Sequence, residues 1–534
     1  MAKNRNLKHS IAEVVKTNGV KGVTGANLQA SLFQMIDKLG GGYQFGGQVE
    51  PTDTFPKDVN GNSLTDQNFA FLASTPGTYP NFGNLSVADG QVALFMWDGN
   101  WTKQIVSYYG NVDVYGVRHF YDNASPELTR IGRQDLHASL PVQSLMRRCV
   151  VRDDGEIMYY LDAHDSTKKA DGTAAVLDGT DGQVMVEIPR HWRRCSLNNE
   201  GGYMDVEISL YPFTGAIPVH RYLVGAYEAA LDRVNNKLAS VVNNAADFRG
   251  GSNTADWDST YRSLLGMPAT NISLTNFRQY GRNRGTGWGC YDWNAHLAIY
   301  WLFAIEYATL NSQKDFDSTL TEEGFHKGGL GIGVSDFSGW DTYNSYNPIV
   351  PCGVTNTLGN ATGVVDYVFS EAQAEAHGAE YTAHVPSYRG IENPFGHIWK
   401  WTDGVLGKGV NDEYQEIYVS RDPAQYASAL NDSYVDMGHE ATANGYCKAI
   451  LASDPSHPQE QRVYGDIFDR DDSGSASTFF CDYHYHANAN NSIYGLRVGG
   501  SAYDGANDGL AYLNVDYAPA SASASIGSRL CWSE

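Results

Sequence analysis

Residues typical of turns recur so often in this sequence that few long helices or strands can form. Glycine accounts for 56 of the 534 residues, above its usual share of about 7%. The best helical pattern is a single stretch, Asp292–Leu310, in which apolar and aromatic residues recur at spacings of four and three. The sequence therefore predicts an α+β fold with few helices, many short strands and long loops, and it places this helix in the core.

The first 45 residues differ from the rest in charge and in pattern. They carry a net charge of +4, whereas the remainder carries −27. Leu28, Leu32, Met35 and Leu39 lie on one helical stripe over residues 26–39. Two heptads are too few for an independent coiled coil. Segment 1–45 is therefore predicted to be a short helical arm, at an oligomer axis or at a docking surface.

Residues 46–110 are predicted to form a small β module and residues 111–534 the main body. Turn signals at 58–62 and 98–99 separate short apolar runs, and the run 92–97 followed by Trp101 predicts a hairpin. In the body, Val184–Ile188 is predicted to be a strand that Pro189 ends.

Charge and hydropathy exclude several partners. A net charge of −23 disfavours nucleic acid and anionic membranes, because both repel an acidic surface. No run approaches the roughly 18 apolar residues that a membrane span needs, so no membrane insertion is expected. The first ten residues lead into no apolar leader. The seven cysteines form no CxxC pair and are expected to be reduced, buried thiols made in a cytoplasm.

Metal and catalytic motifs are weak. Residues 468–474 open like a calcium loop, but Phe480 occupies the twelfth position, where such loops place a glutamate. His484 and His486 would share one face of a strand, yet no third ligand follows at a fixed spacing. We therefore predict no metal site and no cofactor, and leave only a calcium ion open. No motif of a hydrolase, zinc protease or nucleotide-binding enzyme is present in a plausible context.

The carboxy-terminal segment 483–526 has a distinctive composition. Tyr, Asn, Ser, Gly and Ala make up 30 of its 44 residues, and it contains neither Lys nor Glu. Tyrosine among small polar residues is typical of evolved binding surfaces, because the ring offers a large contact area at low entropic cost. A disordered tail is the alternative, but the apolar residues in 526–532 favour an ordered segment.

Several motifs resemble a known family. Residues 390–401, GIENPFGHIWKW, are similar to the glycine- and tryptophan-rich stretch of the C-type lectin fold of formylglycine-generating enzymes, with His397 where that pattern has Asn. Residues 494–500 and 526–530 are similar to its closing glycine-arginine strands, and 287–313 resembles the helical part of phage tail proteins of this fold. The strongest likeness is to receptor-binding variable proteins of diversity-generating retroelements.

The resemblance implies a C-type-lectin-like body and a diversified surface. Adenine mutagenesis of AAC or AAT codons cannot produce Lys, Glu, Gln, Met or Trp, and 483–525 contains none of these. Gly495, Arg497, Gly499, Gly500, Gly527 and Arg529 would form the constant frame. The predicted ligand-binding, variable residues are Tyr483, His484, Tyr485, His486, Asn488, Asn490, Asn491, Tyr503, Asp504, Asn507, Asp508, Tyr512, Asn514, Asp516, Tyr517, Ser521 and Ser523.

The implied function is adhesion of a phage tail-fibre tip to its host. The expected partner is a bacterial cell-surface protein or glycan, and the arm 1–45 would attach to other tail proteins and help form a homotrimer. The chain would be made in the host cytoplasm and reside in the virion, without enzymatic activity. The alternative is an oxidase of the formylglycine-generating type that uses Cys481 and Cys531.

Overall fold

The computed structural model describes residues 44–55, 63, 68–73, 75–88, 91–108, 113–252 and 265–533. The predicted helix over 26–39 and its apolar stripe lie outside these residues. Strands make up 35% of the described residues and helices 15%. The fold is therefore α+β and rich in β-sheet, as the density of turn signals predicts. Among the described residues, no helix combines the length and the apolar character needed to cross a membrane.

The chain divides into two compact units. The small unit comprises Met1–Tyr115, Arg190–Arg193 and Ile208–Pro218. The large unit comprises Gly116–Pro189, Arg194–Glu207 and Val219–Glu534. The predicted boundaries at 45 and 110 stay predictions.

An aromatic-rich sheet forms most of the described part of the small unit. Its strands are ordered Gln44–Val49, Phe69–Ala73, Gln91–Trp97 and Trp101–Tyr108, the first pair parallel and the others antiparallel. Trp97 pairs with Trp101 across a short turn, which confirms the predicted hairpin. The rings of Phe71 and Phe82 are fully buried, with centroids 5.2 Å apart. A second hairpin, Gly77–Tyr79 with Leu85–Val87, encloses a 3₁₀ turn at Pro80–Phe82.

Two sheets organise the large unit. The first has six strands in the order Ile157–Tyr160, Arg147–Val151, Gln183–Ile188, Tyr222–Gly225, Leu530–Ser533 and Trp288–Cys290. The second, which we call the carboxy-terminal sheet, has the order Val435–His439, Tyr414–Val419, Trp399–Val410, Ile493–Val498, Leu513–Tyr517, Tyr483–His486 and Gly445–Tyr446. Ile526–Gly527 also pairs with Trp399–Val410, in parallel. The strand predicted before Pro189 is confirmed as Gln183–Ile188.

Smaller elements complete the structure. The remaining paired strands of the large unit are Ala230–Asp232 with Lys237–Ala239, Phe316–Asp317 with Lys327–Gly328, Ala449–Ile450 with Asp469–Asp471, and the sheet Gly363–Val368, Thr382–Tyr388 and Ile391–Glu392. Strand Thr129–Gly132 belongs to the large unit. Four further strands each have residues in both units, namely Tyr115–Phe120, His191–Asn198, Tyr203–Ser209 and Ile217–Val219. The α-helices are Gln134–Ser139, Leu274–Arg282, Trp293–Tyr307, Trp340–Asn344, Glu371–His377 and Gln459–Arg462. The 3₁₀ helices are Gln143–Leu145, Ala246–Phe248, Val354–Leu358, Pro423–Gln425, Leu451–Ser453 and Gly505–Asn507.

Helix Trp293–Tyr307 runs through the core of the large unit. The Asp292 carboxylate caps its amino end by accepting the backbone hydrogen of Ala295 at 2.9 Å. Every helical residue except Asn294 is buried. The predicted core helix is therefore confirmed, and it is enclosed on all sides rather than along one stripe.

The segment that carries the family resemblance contains a buried histidine with a defined tautomer. His397 Nδ1 lies 2.6 Å from Glu228 Oε2, and His397 Nε2 accepts the backbone hydrogens of Ile349 and Val350, each at 3.1 Å. Because Nε2 accepts, the ring hydrogen is on Nδ1 and is donated to Glu228. His397 thus joins three separate segments of the large unit.

Lys400 completes this buried network. Its ammonium lies 3.0 Å from Glu228 Oε1 and donates to the backbone oxygen of Gly396 at 2.6 Å. Burial lowers the pKa of Lys400 to about 8. Burial alone would raise the pKa of Glu228, but the charge of Lys400 and the hydrogen bond from His397 lower it to about 2. The network anchors the start of strand Trp399–Val410 of the carboxy-terminal sheet.

Candidate ligand-binding surface on the carboxy-terminal sheet

Strand Tyr483–His486 has two unlike faces. Tyr483 is half-buried and Tyr485 is 41% exposed, whereas His484 and His486 are buried. Successive side chains of a strand point to opposite sides. The tyrosines therefore point outward and the histidines inward, which confirms that the two histidines share a face.

The outward face continues onto the two neighbouring strands. Tyr485 pairs with Asn514 in the parallel neighbour, and Asn514 pairs with Arg497 in the next strand. Paired residues project to the same side of a sheet. Beside them, Arg497 contacts both Asp516 and Tyr517. We call the six residues Tyr483, Tyr485, Arg497, Asn514, Asp516 and Tyr517 the tyrosine face.

Arg497 holds the polar and aromatic parts of the tyrosine face together. Its guanidinium forms an ion pair with Asp516. The same guanidinium lies 4.0 Å from the ring centroid of Tyr517 and 4.9 Å from that of Trp399, within the range of cation–π attraction. Burial raises the pKa of Asp516, and the charge of Arg497 opposes that rise. The face therefore has an enclosed positive charge at its centre.

A row of aromatic rings borders the tyrosine face. Tyr512 lies 4.6 Å from Trp399 and 6.0 Å from Tyr483, measured between ring centroids, and Tyr483 lies 5.2 Å from Tyr446. All three contacts have the edge-on geometry that aromatic pairs prefer. The Tyr446 hydroxyl donates to Asn507 Oδ1 at 2.6 Å. This row connects the sheet to the loop of residues 499–512.

The loop 499–512 is held by contacts that tolerate little change. The buried Asp508 carboxylate accepts the backbone hydrogen of Ser501 at 3.1 Å. Gly500 has φ 76°, and a Cβ at this position would lie 1.5 Å from Asp508 Oδ1. Near the other end of the loop, His296 of the core helix donates from Nε2 to the Leu510 carbonyl oxygen at 2.9 Å. These contacts join the loop to the core of the large unit.

The structure removes five of the seventeen predicted ligand-binding residues from the exposed surface. His484 and His486 lie on the inward face of their strand. Asp508, Tyr512 and Asn514 are buried as well. These five residues were predicted to be exposed from the composition of the segment, and composition does not distinguish the two sides of a strand. Outside the turn at 488–491 and the loop of Ser521 and Ser523, the predicted residues that are exposed or half-buried are Tyr483, Tyr485, Tyr503, Asp504, Asn507, Asp516 and Tyr517. Whether these seven bind a ligand stays a prediction.

Three of the five predicted asparagines, Asn488, Asn490 and Asn491, lie in or beside a turn rather than on the tyrosine face. Asn488 donates from Nδ2 to the Asp412 carbonyl oxygen at 3.0 Å, and the Asn490 backbone donates to Asp412 Oδ1 at 2.8 Å. Asn491 has φ 58°, a conformation that asparagine tolerates better than most residues. These contacts give the asparagines a local role in shaping the turn.

The remaining predicted residues lie along loops. The Ser523 carbonyl oxygen accepts the backbone hydrogen of Asn271 at 2.9 Å, and Ser521 is half-buried in the same loop. Tyr503 is 53% exposed, and its ring centroid lies 6.0 Å from that of Tyr346. The seventeen residues therefore do not form one continuous patch.

Tyr446 is not among the residues predicted from the sequence, although its ring lies beside that of Tyr483. It lies in the two-residue strand Gly445–Tyr446, which pairs with the strand of Tyr483. So short a strand has no periodicity that could be detected. Its proximity to Tyr483 follows only from strand pairing between distant parts of the chain.

A separate cavity of about 500 Å³ bears on the oxidase alternative. Cys290 and Cys531 line it together with Asp403, and the two cysteines lie on paired strands. Cys481 lies in a loop before strand Tyr483–His486 and is not among the lining residues. All seven cysteines are free thiols. Burial raises the pKa of Cys290 and of Cys531 well above the ordinary value, which disfavours the reactive thiolate form.

The fold and this surface together define a β-rich α+β protein that presents tyrosine, arginine and carboxylate groups on one sheet. No protein-family profile and no curated protein matches the sequence. Solved structures with some likeness include PvdO from Pseudomonas aeruginosa, 10% identical with a TM-score of 0.27, covering 67% of this chain and 98% of that chain.

Variants of the Major Tropism Determinant are also among the solved structures with some likeness to this chain. The U1 variant is 10% identical with a TM-score of 0.23, covering 84% of this chain and 82% of that chain. The M1 variant is 9% identical with a TM-score of 0.18, covering 92% and 98%. These TM-scores are too low to assign the chain to the family of any of these proteins.

Proposed function

We propose that this chain is a receptor-binding protein at the tip of a phage tail fibre, and that its tyrosine face contacts a bacterial cell-surface protein or glycan. The observation that carries the proposal is the arrangement of that face. Exposed Tyr485 and Tyr517 flank an enclosed Arg497, and the supporting residues beneath are buried. Tyrosine rings supply contact area, and the polar groups supply hydrogen bonds.

The binding role has a direct test. Purified protein added to host cells before phage should occupy the receptor and reduce phage adsorption in proportion to its concentration. Heat-unfolded protein is the control, because it has the same composition without the assembled face. Adsorption that is equal with and without a saturating amount of folded protein would contradict the proposal.

We also propose that the exposed positions of this segment are diversified by adenine mutagenesis. Substitutions at exposed positions usually change stability by about 0.5 kcal/mol or less, whereas buried positions tolerate far less. Exposed Tyr485 and Tyr503 suit diversification, and buried Tyr512 and Asp508 do not. The neighbouring DNA should hold a near-copy of the codons for 483–530 beside a reverse transcriptase gene. Mismatches should concentrate at the codons of the seven exposed or half-buried residues.

The assembly proposed for the chain follows the family resemblance of residues 390–401 and 494–500. The large unit would be a C-type-lectin-like body, and the basic arm 1–45 would attach it to other tail proteins as a homotrimer in the virion. Several weak sites on one fibre would then act together by avidity. Light scattering of the purified chain should give the mass of three copies, and a monomer would contradict this arrangement.

The alternative is an oxidase of the formylglycine-generating type. One observation favours it, namely that Cys290 and Cys531 lie on paired strands beside a cavity. Oxidation of a cysteine-containing peptide that is lost in Cys531→Ser would support catalysis. We infer binding rather than catalysis, because both thiols are buried and held in the protonated form.

A further inference from the structure

Three buried side chains that can ligate a metal converge behind the tyrosine face. Glu440 directly follows one strand of the carboxy-terminal sheet, Asp469 begins a strand outside that sheet, and His484 lies on the inward face of Tyr483–His486. One ligand atom of each lies within 4.8 Å of the other two. None of the three is more than 2% exposed. They form an enclosed group contributed by three distant segments.

Two of these side chains lack the hydrogen bonds that buried polar atoms normally make. Both carboxylate oxygens of Asp469 and both ring nitrogens of His484 are without a hydrogen-bond partner in the described part of the chain. His484 Nδ1 lies 3.1 Å from Asp469 Oδ1, but the two atoms are not aligned as donor and acceptor. Native proteins satisfy the great majority of buried polar atoms. We therefore expect a further bound group to contact these two carboxylate oxygens and two ring nitrogens.

The charge balance of this group also favours a bound cation. Two carboxyl groups, Glu440 and Asp469, are buried together, and no lysine or arginine forms an ion pair with either within the described ranges. The nearby Lys448 pairs instead with Asp471, at 3.2 Å. A buried cation would stabilise both carboxylates as anions.

We propose that Glu440, Asp469 and His484 form a binding site for a divalent transition-metal ion such as Zn²⁺ or Mn²⁺. Imidazole nitrogen is a ligand of transition metals, and carboxylate oxygen completes such a set. Calcium prefers six to eight oxygen ligands, so a site built around His484 does not favour it. Asp469, the first acidic residue of the calcium-like loop, therefore belongs to a different kind of metal site.

Two neighbouring groups can extend the coordination. His486 Nδ1 and Asp472 Oδ2 are also buried without a hydrogen-bond partner in the described residues. His486 shares the inward face of its strand with His484, and Asp472 follows Asp469 by three residues. His486 or Asp472 would supply a fourth ligand or orient the first three.

A metal at this position would act directly on the candidate binding surface. His484 lies between Tyr483 and Tyr485 on the same four-residue strand. Ligation of His484 on the inward side would fix the strand that carries both tyrosines on the outward side. The metal would also link the segment that ends at Glu440 to the segment that begins at Asp469. Its role would be structural, and it would set the position of the tyrosine face.

Metal content tests the proposal without reference to host binding. The full chain is dialysed against EDTA, reloaded separately with ZnCl₂, MnCl₂, CoCl₂ or CaCl₂, desalted and analysed by elemental mass spectrometry. We expect about one equivalent of a transition metal, and at least a tenfold lower content in Asp469→Asn and in His484→Gln. His384→Gln is the matched control, because exposed His384 also lies 2.7 Å from a carboxylate, that of Asp366. It should retain the metal.

The wild-type protein alone decides the question if the variants do not fold. Saturating Zn²⁺ or Mn²⁺ should raise the unfolding temperature of the EDTA-treated chain by several degrees. Co²⁺ should give a visible absorption band typical of nitrogen and oxygen ligation. Less than a tenth of an equivalent of metal with no thermal shift would overturn the proposal. So would binding of calcium alone, or metal binding that is unchanged in both folded variants.

Discussion

The guanidinium of Arg497 lies 4.0 Å from the ring centroid of Tyr517, and it also forms an ion pair with Asp516 in the same strand as that tyrosine. One side chain thus holds both an exposed ring and a half-buried carboxylate of the tyrosine face. On its other side Arg497 contacts Trp399, which is buried in the core of the large unit. The exposed surface is therefore connected to the core through Arg497.

Replacing Arg497 should destabilise the large unit. Arg497→Ala removes the partner of Asp516 and the cation above Tyr517, so we expect a loss of about 2–4 kcal/mol in the free energy of unfolding. Denaturant titration measures it. Arg133→Ala is the control, because Arg133 forms an exposed ion pair with Asp135 and should cost less than about 1 kcal/mol. Equal effects would show that enclosure of Arg497 does not matter.

Gly500 should not tolerate alanine. Its φ is 76°, and the added Cβ would lie 1.5 Å from Asp508 Oδ1, so the loop 499–512 would have to move. Gly172 has φ 85° with no atom within 4 Å of an added Cβ, so Gly172→Ala measures the backbone strain alone, about 1–2 kcal/mol. Gly500→Ala should lower the free energy of unfolding by at least about 2 kcal/mol more. Identical losses in chemical denaturation would contradict the rigid loop.

The exposed tyrosines should matter for adhesion and not for folding. Combined Tyr485→Ala and Tyr517→Ala should weaken binding to host cells by at least about tenfold, equivalent to about 1.4 kcal/mol, because aromatic anchors dominate such interfaces. The control combines Met158→Ala and Leu320→Ala, which remove exposed apolar side chains of the same unit. Adsorption assays on cells compare the two proteins. Unchanged adsorption by the folded tyrosine variant would exclude these two residues from the site.

Asp292 should make stability depend on pH. Burial, followed by the charge of Asp403, raises the pKa of Asp292 from 3.8 to about 7. Between these values the folded chain binds more protons than the unfolded chain, so this residue lowers stability as pH rises from about 4 to about 7. Asp292→Asn still accepts a hydrogen bond at the helix start but does not ionise. Its stability relative to wild type should rise by about 2–4 kcal/mol over that window.

A series of denaturation curves from pH 4 to pH 8 measures this difference. Ser273→Ala is the control, because Ser273 caps a helix by accepting the backbone hydrogen of Asn276 at 3.2 Å and carries no carboxyl group. Its difference from wild type should stay constant with pH. A constant difference for Asp292→Asn as well would show that the Asp292 carboxyl titrates normally in the folded chain.

Local patterns in the sequence were enough to predict some elements. The spacing of apolar residues predicted helix Trp293–Tyr307, and the apolar run 92–97 with Trp101 predicted the hairpin in the small unit. Alternation along residues 483–486 predicted that His484 and His486 share a face. Each of these predictions depends only on residues close in the chain, whose geometry follows from the 3.6-residue and two-residue periods.

The composition of 483–526 indicated a binding segment but not which residues are exposed. It grouped buried Tyr512 and exposed Tyr517 together, because both are tyrosines in the same stretch. Their difference arises from Trp399 and Arg497, which lie on neighbouring strands of the carboxy-terminal sheet. Composition contains no information about such neighbours.

The sequence by itself therefore determined the fold class, the core helix and the two-sided character of the strand Tyr483–His486. Only the tertiary structure decided that Tyr446 lies beside Tyr483, and that Glu440 and Asp469 converge on His484. The physical reason is that strand pairing and close packing bring distant segments together. A contact between such segments depends on the register of the whole sheet, and no short window of sequence contains that register.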